Sequence, residues 1–194
     1  NDSDGVAGSY TNIGLVYLHQ GNYTEALKNY EKGLKLYKEI GNKAGVGIVY
    51  SNIGLVYFYL ANYPESLNNY LAALKIAEEQ DNKRGIADCY NYIGGVYDMQ
   101  KKHDEALKSY FAALKMNLAI GNQKGIASCY GNIGISYTKQ KKYNIGQDYL
   151  LKAEEILKNI GAKANLKLTY VALAFLDSSK GDFKNAYKHH KLFI

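Results

Sequence analysis

Apolar and polar positions along the chain recur at a period of 40 residues with no gap. The string "TNIGLVYLHQ" at 11–20 returns as "SNIGLVYFYL" at 51–60, "NYIGGVYDMQ" at 91–100 and "GNIGISYTKQ" at 131–140. The units run over 5–44, 45–84, 85–124, 125–164 and an incomplete 165–194. In the first half of a unit, Tyr10, Ile13, Gly14 and Tyr17 fall within one arc at about 100° per residue, which predicts a helix with one packed side. A short polar turn follows at "QGNY", "LANY", "KKHD", "KKYN" and "KGDF". The second half then carries Ala26, Leu27, Tyr30, Gly33, Leu34 and Tyr37 on an apolar stripe, and Pro64 stands in a first helical turn, where its missing N–H costs nothing. Units end on "EIGNKAG", "EQDNKRG" or "AIGNQKG", a helix stop and turn. An antiparallel helix pair repeated at a fixed period buries its apolar face only by stacking on its neighbours. The expected class is therefore all-α, an α-solenoid of stacked antiparallel helix pairs, with 1–194 forming a single array.

A glycine inside each first helix costs about 1 kcal/mol relative to alanine, so it needs a compensating reason. The expected reason at Gly14 and Gly54 is close approach of a neighbouring helix. Asn12 lies on the other side. With Asn12 as zero, residues 8, 15 and 19 fall within about 60°, whereas Tyr10, Ile13, Gly14 and Tyr17 lie roughly 100° to 200° away.

These positions resemble the tetratricopeptide repeat, in a forty-residue variety, over essentially the whole chain. The family pattern is met at Tyr10, Ile13, Gly14, Tyr17, Ala26, Tyr30 and Gly33, and at Tyr50, Ile53, Gly54, Tyr57, Ser66, Tyr70 and Ala73. It recurs at Tyr90, Ile93, Gly94, Tyr97, Ala106, Tyr110 and Ala113, and at Tyr130, Ile133, Gly134, Tyr137, Gly146, Leu150 and Ala153. In the fifth unit Tyr170, Leu173 and Ala186 fit, but Ala174, Asp177 and His190 do not. The resemblance implies a right-handed superhelix whose concave groove is lined by the face bearing Asn12, Asn52 and Asn132, with Tyr92 interrupting the series beside Asn91. A carboxamide both accepts and donates and so matches a peptide unit. The same asparagines could instead bond the next unit or face water. Three hydrogen bonds at about 0.5–1.5 kcal/mol each fall short of the roughly 8 kcal/mol of a micromolar complex, so apolar neighbours must contribute. Leu15, Leu55, Tyr59, Met99 and Ile135 supply apolar surface, with Phe58 beside them, and Asp88, Asp98 and Lys139 select charge. No repeated Lys or Arg pair is placed to clamp a terminal carboxylate.

Composition adds limits. Apolar residues make up 47% and charged residues 22%, an ordinary soluble balance, while 20 Tyr, no Trp and one Pro favour helices over a loop-rich β design. No apolar run approaches the roughly 20 residues of a membrane span, and the first residues lack a signal peptide's basic and apolar regions. The formal charge of +6 gathers toward the C-terminal end on amphipathic helix faces. Without a nucleic-acid module's fingerprint it does not predict nucleic-acid binding. Cys89 and Cys129 occupy equivalent places in two units and are expected to be buried thiols, since stacked helices lie about 10 Å apart, beyond disulfide reach. His189 and His190 diverge by about 100° and suit packing or solvent rather than one metal, while His19 and His103 sit near turns with no repeated acidic partner. No metal motif, phosphate loop or nucleophile elbow appears, so neither catalysis nor a cofactor is expected.

The first reading is a protein-interaction module holding a peptide or partner protein in the groove. The alternative is a regulatory or dimerising region, in which the solenoid packs on itself or on an output domain. The final "GDFKNAYKHHKLFI" resembles the last repeat of bacterial sensor proteins, in which such repeats precede a histidine kinase or a transcriptional regulator, implying a cytoplasmic or periplasmic setting. "NDSDG" aligns with the inter-unit turns and "HKLFI" stops within a second helix, so a segment of a longer chain is expected.

Overall fold

The computed structural model describes residues 2–193, the side chain of Asp2 aside; Asn1 of the turn-like "NDSDG" and Ile194 of "HKLFI", where the last second helix is expected to stop, lie outside them. The described residues form ten helices and no strand: α1 (Asp2–His19), α2 (Tyr23–Glu39), α3 (Lys43–Tyr59), α4 (Tyr63–Glu79), α5 (Lys83–Met99), α6 (His103–Ala119), α7 (Gln123–Lys139), α8 (Tyr143–Asn159), α9 (Lys163–Lys180) and α10 (Phe183–Phe193). None is long and apolar enough to cross a membrane.

The turns explain the period. The N–H of Gly21 bonds the carbonyl of Leu18 and that of Asn22 bonds Tyr17, a pair of bonds that closes a helix on a left-handed residue. The next residue then starts a new helix: Asn22, Asn42, Asn62 and Asn122 each accept, through their side chains, the N–H three residues on. Capping by Asn42 starts α3 at Lys43, two residues ahead of the unit boundary that the repeat alone suggests. The left-handed position is glycine at 21, 41, 121, 161 and 181, but Ala61, Asp81, Lys101 and Lys141 hold φ between 47° and 62°. A side chain in that region costs about 1–2 kcal/mol. Ala61→Gly is therefore expected to raise stability by about 1 kcal/mol, part of the relief being offset by glycine's greater freedom in the unfolded chain. Urea denaturation would measure it.

The chain divides into two compact units, Asn1–Val96 and Tyr97–Ile194. In the first, α1 packs on α2 and α3, α2 on α3, and α3 on α4. Leu18, Ala26, Tyr30, Val49, Ile53 and Val56 form its core. Gly54 lies beneath the ring of Tyr70, and a Cβ there would stand 2.9 Å from ring carbons; Gly14 meets Tyr30 in the same way. The glycines are thus what allows a buried tyrosine to be seated. Ile13 departs from expectation: it is 44% exposed while Ile53 and Ile93 are buried, because no helix pair precedes α1 among the described residues.

In the second unit α7 packs on α8, α9 on α7, α8 and α10, and α6 on α7. Leu150, Tyr170, Leu173 and Leu176 anchor its core. Of the departures in the fifth repeat, Asp177 has a local cause, since it is 5% exposed and takes His189 Nδ1 at 2.7 Å, and the His189 ring stacks on Tyr170. Cys89 and Cys129 are buried, and neither is in a disulfide.

Candidate functional site

In the unit of residues 1–96, an open cleft of about 330 Å³ lies between α3 and α5 over a floor from α4. Small residues make the space. Gly47 and Gly85 stand where a Cβ would come within 3.3 Å of Ile76 and 3.2 Å of Ala77, and Ala73 and Ala77 leave the floor low. Asn52 from α3 and Asp88 and Tyr92 from α5 line this one space. Three of the residues expected in the groove therefore meet.

Tyr92 owes its place to Tyr70. The two rings stack with centroids 5.1 Å apart at 25°, so the residue that interrupts the asparagine series becomes a wall braced from the core. Burial, and then the Asp88 charge, raise the Tyr92 phenol above its usual range. Asp88 is exposed, yet its packed surroundings push its carboxyl upward, with Arg84 one turn earlier pulling the other way. Cys89 is 3% exposed. Its thiol is pushed up to about 11 by burial, with a hydrogen bond from Ser51 opposing and Asp88 and Glu78 adding to the rise. It stays protonated near neutrality and is no nucleophile.

The other expected residues lie elsewhere. Asn12 and Leu15 are exposed on α1; Leu55 is half-buried against the core; Tyr59 is exposed and stacks on Tyr23 with centroids 6.0 Å apart; Asn91 is half-buried on α5. In the unit of residues 97–194, Met99 is exposed, Asn132 is half-buried, and Ile135 packs against the core around Leu150. Lys139 approaches Asp98 to 3.6 Å.

Asp98 itself corrects an expectation, since it does not stand at the surface selecting charge. It is 7% exposed and takes His103 Nδ1 at 2.7 Å and the Ser136 hydroxyl at 3.0 Å, with the Tyr110 hydroxyl at 3.5 Å. His103 thus has an acidic partner that the repeat pattern does not suggest. No group of three or more His, Cys, Asp or Glu suited to a metal occurs among the described residues.

Sequence reasoning missed Ser51, Gln80, Asn82 and Arg84, which also line the cleft. A groove derived from the first helix of each unit leaves out the floor and flank that α4 supplies. The signal lies in the small residues Gly47, Ala73, Ala77 and Gly85.

Residues 5–79 and 45–119 match the family model of the tetratricopeptide repeat, together more than half of the chain. No curated protein matches the chain. Among solved structures, BtubC from P. vanneervenii is 20% identical with a TM-score of 0.82, covering 97% of this chain and 78% of its own. A Rap protein complexed with competence and sporulation factor is 19% identical with a TM-score of 0.84, over 95% of this chain and 52% of that one. The Rap conjugation gene regulator of the plasmid pLS20, in complex with the Phr* peptide, is 21% identical with a TM-score of 0.82, over 95% and 51%. The chain spans about half the length of the Rap proteins. These likenesses share an all-helical solenoid of paired helices with this chain.

Proposed function

The chain belongs to the tetratricopeptide repeat family, and on that premise we propose that it is a protein-interaction module, not an enzyme, which holds a peptide segment of a partner in the cleft between α3 and α5. The observation that carries this reading is the meeting of Asn52, Asp88 and Tyr92 around one open space. The Asn52 carboxamide offers a donor and an acceptor to a backbone, Tyr92 an aromatic surface, and Asp88 a charge. The Phr* peptide complex of a structural relative supports the choice of a peptide. Asn132, Ile135 and Lys139 on α7 are proposed as further contact residues of the second unit.

A peptide-display library passed over the protein tests the reading. The wild type should capture peptides, and the double variant Asn52→Ala, Tyr92→Ala should weaken the captured peptides by about tenfold or more, the effect of losing one hydrogen bond and one stacked ring. No captured peptide, or capture indifferent to both changes, would sink it.

A second reading, a self-associating regulatory region, is favoured by one observation. Phe183, Tyr187 and Leu168 of the α9–α10 pair are 71%, 61% and 66% exposed. Sedimentation velocity on the wild type and on Phe183→Ser, Tyr187→Ser separates the two readings: a dimer lost in the variant with peptide capture unchanged places association on α9–α10, and a monomer throughout removes it.

A further inference from the structure

With the cleft taken as a peptide site, a reading on which this proposal rests, its lining decides which side chain it selects. Asp88 is the acidic side chain in the cleft wall, and the fold counters its charge only weakly. Arg84 lies one helical turn earlier and acts on it at a distance without closing an ion pair. Asp88 is the one acidic residue among those lining the cleft. Beside Asp88 stands Tyr92, 41% exposed, with one ring face held by Tyr70. Asn52 and Gln80 add amide groups to the lining, each with an oxygen that accepts and an NH2 that donates.

A carboxylate and a braced aromatic face are open to a cation, and the amides of Asn52 and Gln80 can turn an oxygen toward it. A planar guanidinium answers both, because it presents five N–H groups in one plane and stacks on aromatic rings. An ammonium is a point charge that satisfies the carboxylate but gains less from the ring. A carboxylate ligand would meet Asp88 across a small space. We propose that the cleft holds the side chain of an arginine in the bound peptide, its N–H groups on the Asp88 carboxylate and its plane against Tyr92. Arg84, which closes no ion pair with Asp88, then opposes a ligand arginine only by charge repulsion from one helical turn away.

The test titrates ¹⁵N-labelled protein with Nα-acetyl-arginine methylamide and with its lysine, citrulline and glutamate counterparts, following resonances of Asn52, Asp88 and Tyr92. The arginine probe should shift them saturably, and citrulline, which keeps the shape without the charge, should bind about tenfold more weakly or less, as befits one lost charged contact. Asp88→Asn and Tyr92→Leu should each weaken the arginine probe to a similar extent, Asp88→Glu should retain it, and Arg84→Ala should strengthen it a few-fold. Citrulline binding as well as arginine, glutamate binding better, or an Asp88→Asn variant equal to wild type overturns the inference. Captured library peptides that depend on Asn52 and Tyr92 but lack arginine also overturn it while leaving the peptide reading intact. A saturable arginine site with no captured peptide supports the pocket and overturns the peptide reading.

Discussion

Tyr70→Ala is expected to lower the stability of the unit formed by residues 1–96 by about 3–5 kcal/mol, the cost of emptying an aromatic site in a closed core. The ring is 1% exposed, lies over Gly54, and stacks on Tyr92. Three features of the repeat therefore converge on one side chain. The glycine, conformationally costly in a helix, is needed because a Cβ at residue 54 would come within 2.9 Å of the ring. The neighbouring hydroxyl of Ser66 donates to the Gly54 carbonyl at 2.8 Å, which fixes α3 against α4 at that crossing. Burial raises the Tyr70 phenol well above its usual range, with the nearby Tyr92 adding to the rise, so the neutral form is the one the fold accepts. Tyr70→Phe keeps the ring and should retain most of the stability. Gly54→Ala reports on the same contact from the other side: the gain of about 1 kcal/mol in helix propensity is outweighed by overpacking worth roughly 1–3 kcal/mol. Urea denaturation followed by far-ultraviolet circular dichroism measures all three. A loss below about 1 kcal/mol for Tyr70→Ala would mean that the site collapses around the missing ring, contrary to the close packing that Gly54 records. Because Tyr92 leans on Tyr70, the alanine variant should also lose the cleft's aromatic wall.

How far such features are legible in the sequence depends on whether they repeat. Gly54 and Tyr57 recur at 40-residue intervals, so the helix pair, its turn and its packed side follow from periodicity alone. Asn52 is placed opposite that side by the helical angle, and the structure puts it in the cleft with Asp88 and Tyr92. The depth of the cleft is not periodic in the same way. Gly47 stands where the first and third units have Ala7 and Ala87, and the floor comes from α4, whose inner face a reading confined to first helices ignores. Ile13 shows the opposite limit, since its type and spacing match Ile53, yet exposure depends on what packs against it. Asp98 is the hardest to read. It looks like a charge on an amphipathic surface until its partners, 5 and 38 residues away in sequence, are seen around it. A signal does exist, because the departures from the repeat are matched. Where Phe58, Tyr63 and Val96 stand at one place in the period, Asp98, His103 and Ser136 stand one full repeat later, around the buried carboxylate.

That matching makes Asp98 the second site of large expected effect. Asp98→Ala should destabilise the unit of residues 97–194 by about 3 kcal/mol or more, because it removes the acceptor for groups that have no route to solvent. Ser136 is 0% exposed and Tyr110 3% exposed, so both hydroxyls would be stranded, and His103 would lose its 2.7 Å partner. Asp98→Asn keeps an acceptor without the charge and should fall between the wild type and Asp98→Ala. The informative variant is the triple change Asp98→Phe, His103→Tyr, Ser136→Val. It copies the apolar arrangement at Phe58 and Tyr63, whose rings meet edge-on with centroids 6.3 Å apart. Replacing a buried polar cluster by apolar groups that fit is often neutral or stabilising, so the triple variant should recover to within about 1 kcal/mol of wild type or exceed it. Chemical denaturation of the three proteins separates two origins for the polar cluster. Recovery in the triple variant means that the fold tolerates either arrangement at this crossing and that the charged one contributes no net stability. Failure to recover, with Asp98→Ala as damaging as expected, means that Lys139 and Tyr110, left without the carboxylate, need it as much as His103 and Ser136 do. The cluster would then act as one unit whose members cannot be exchanged a few at a time.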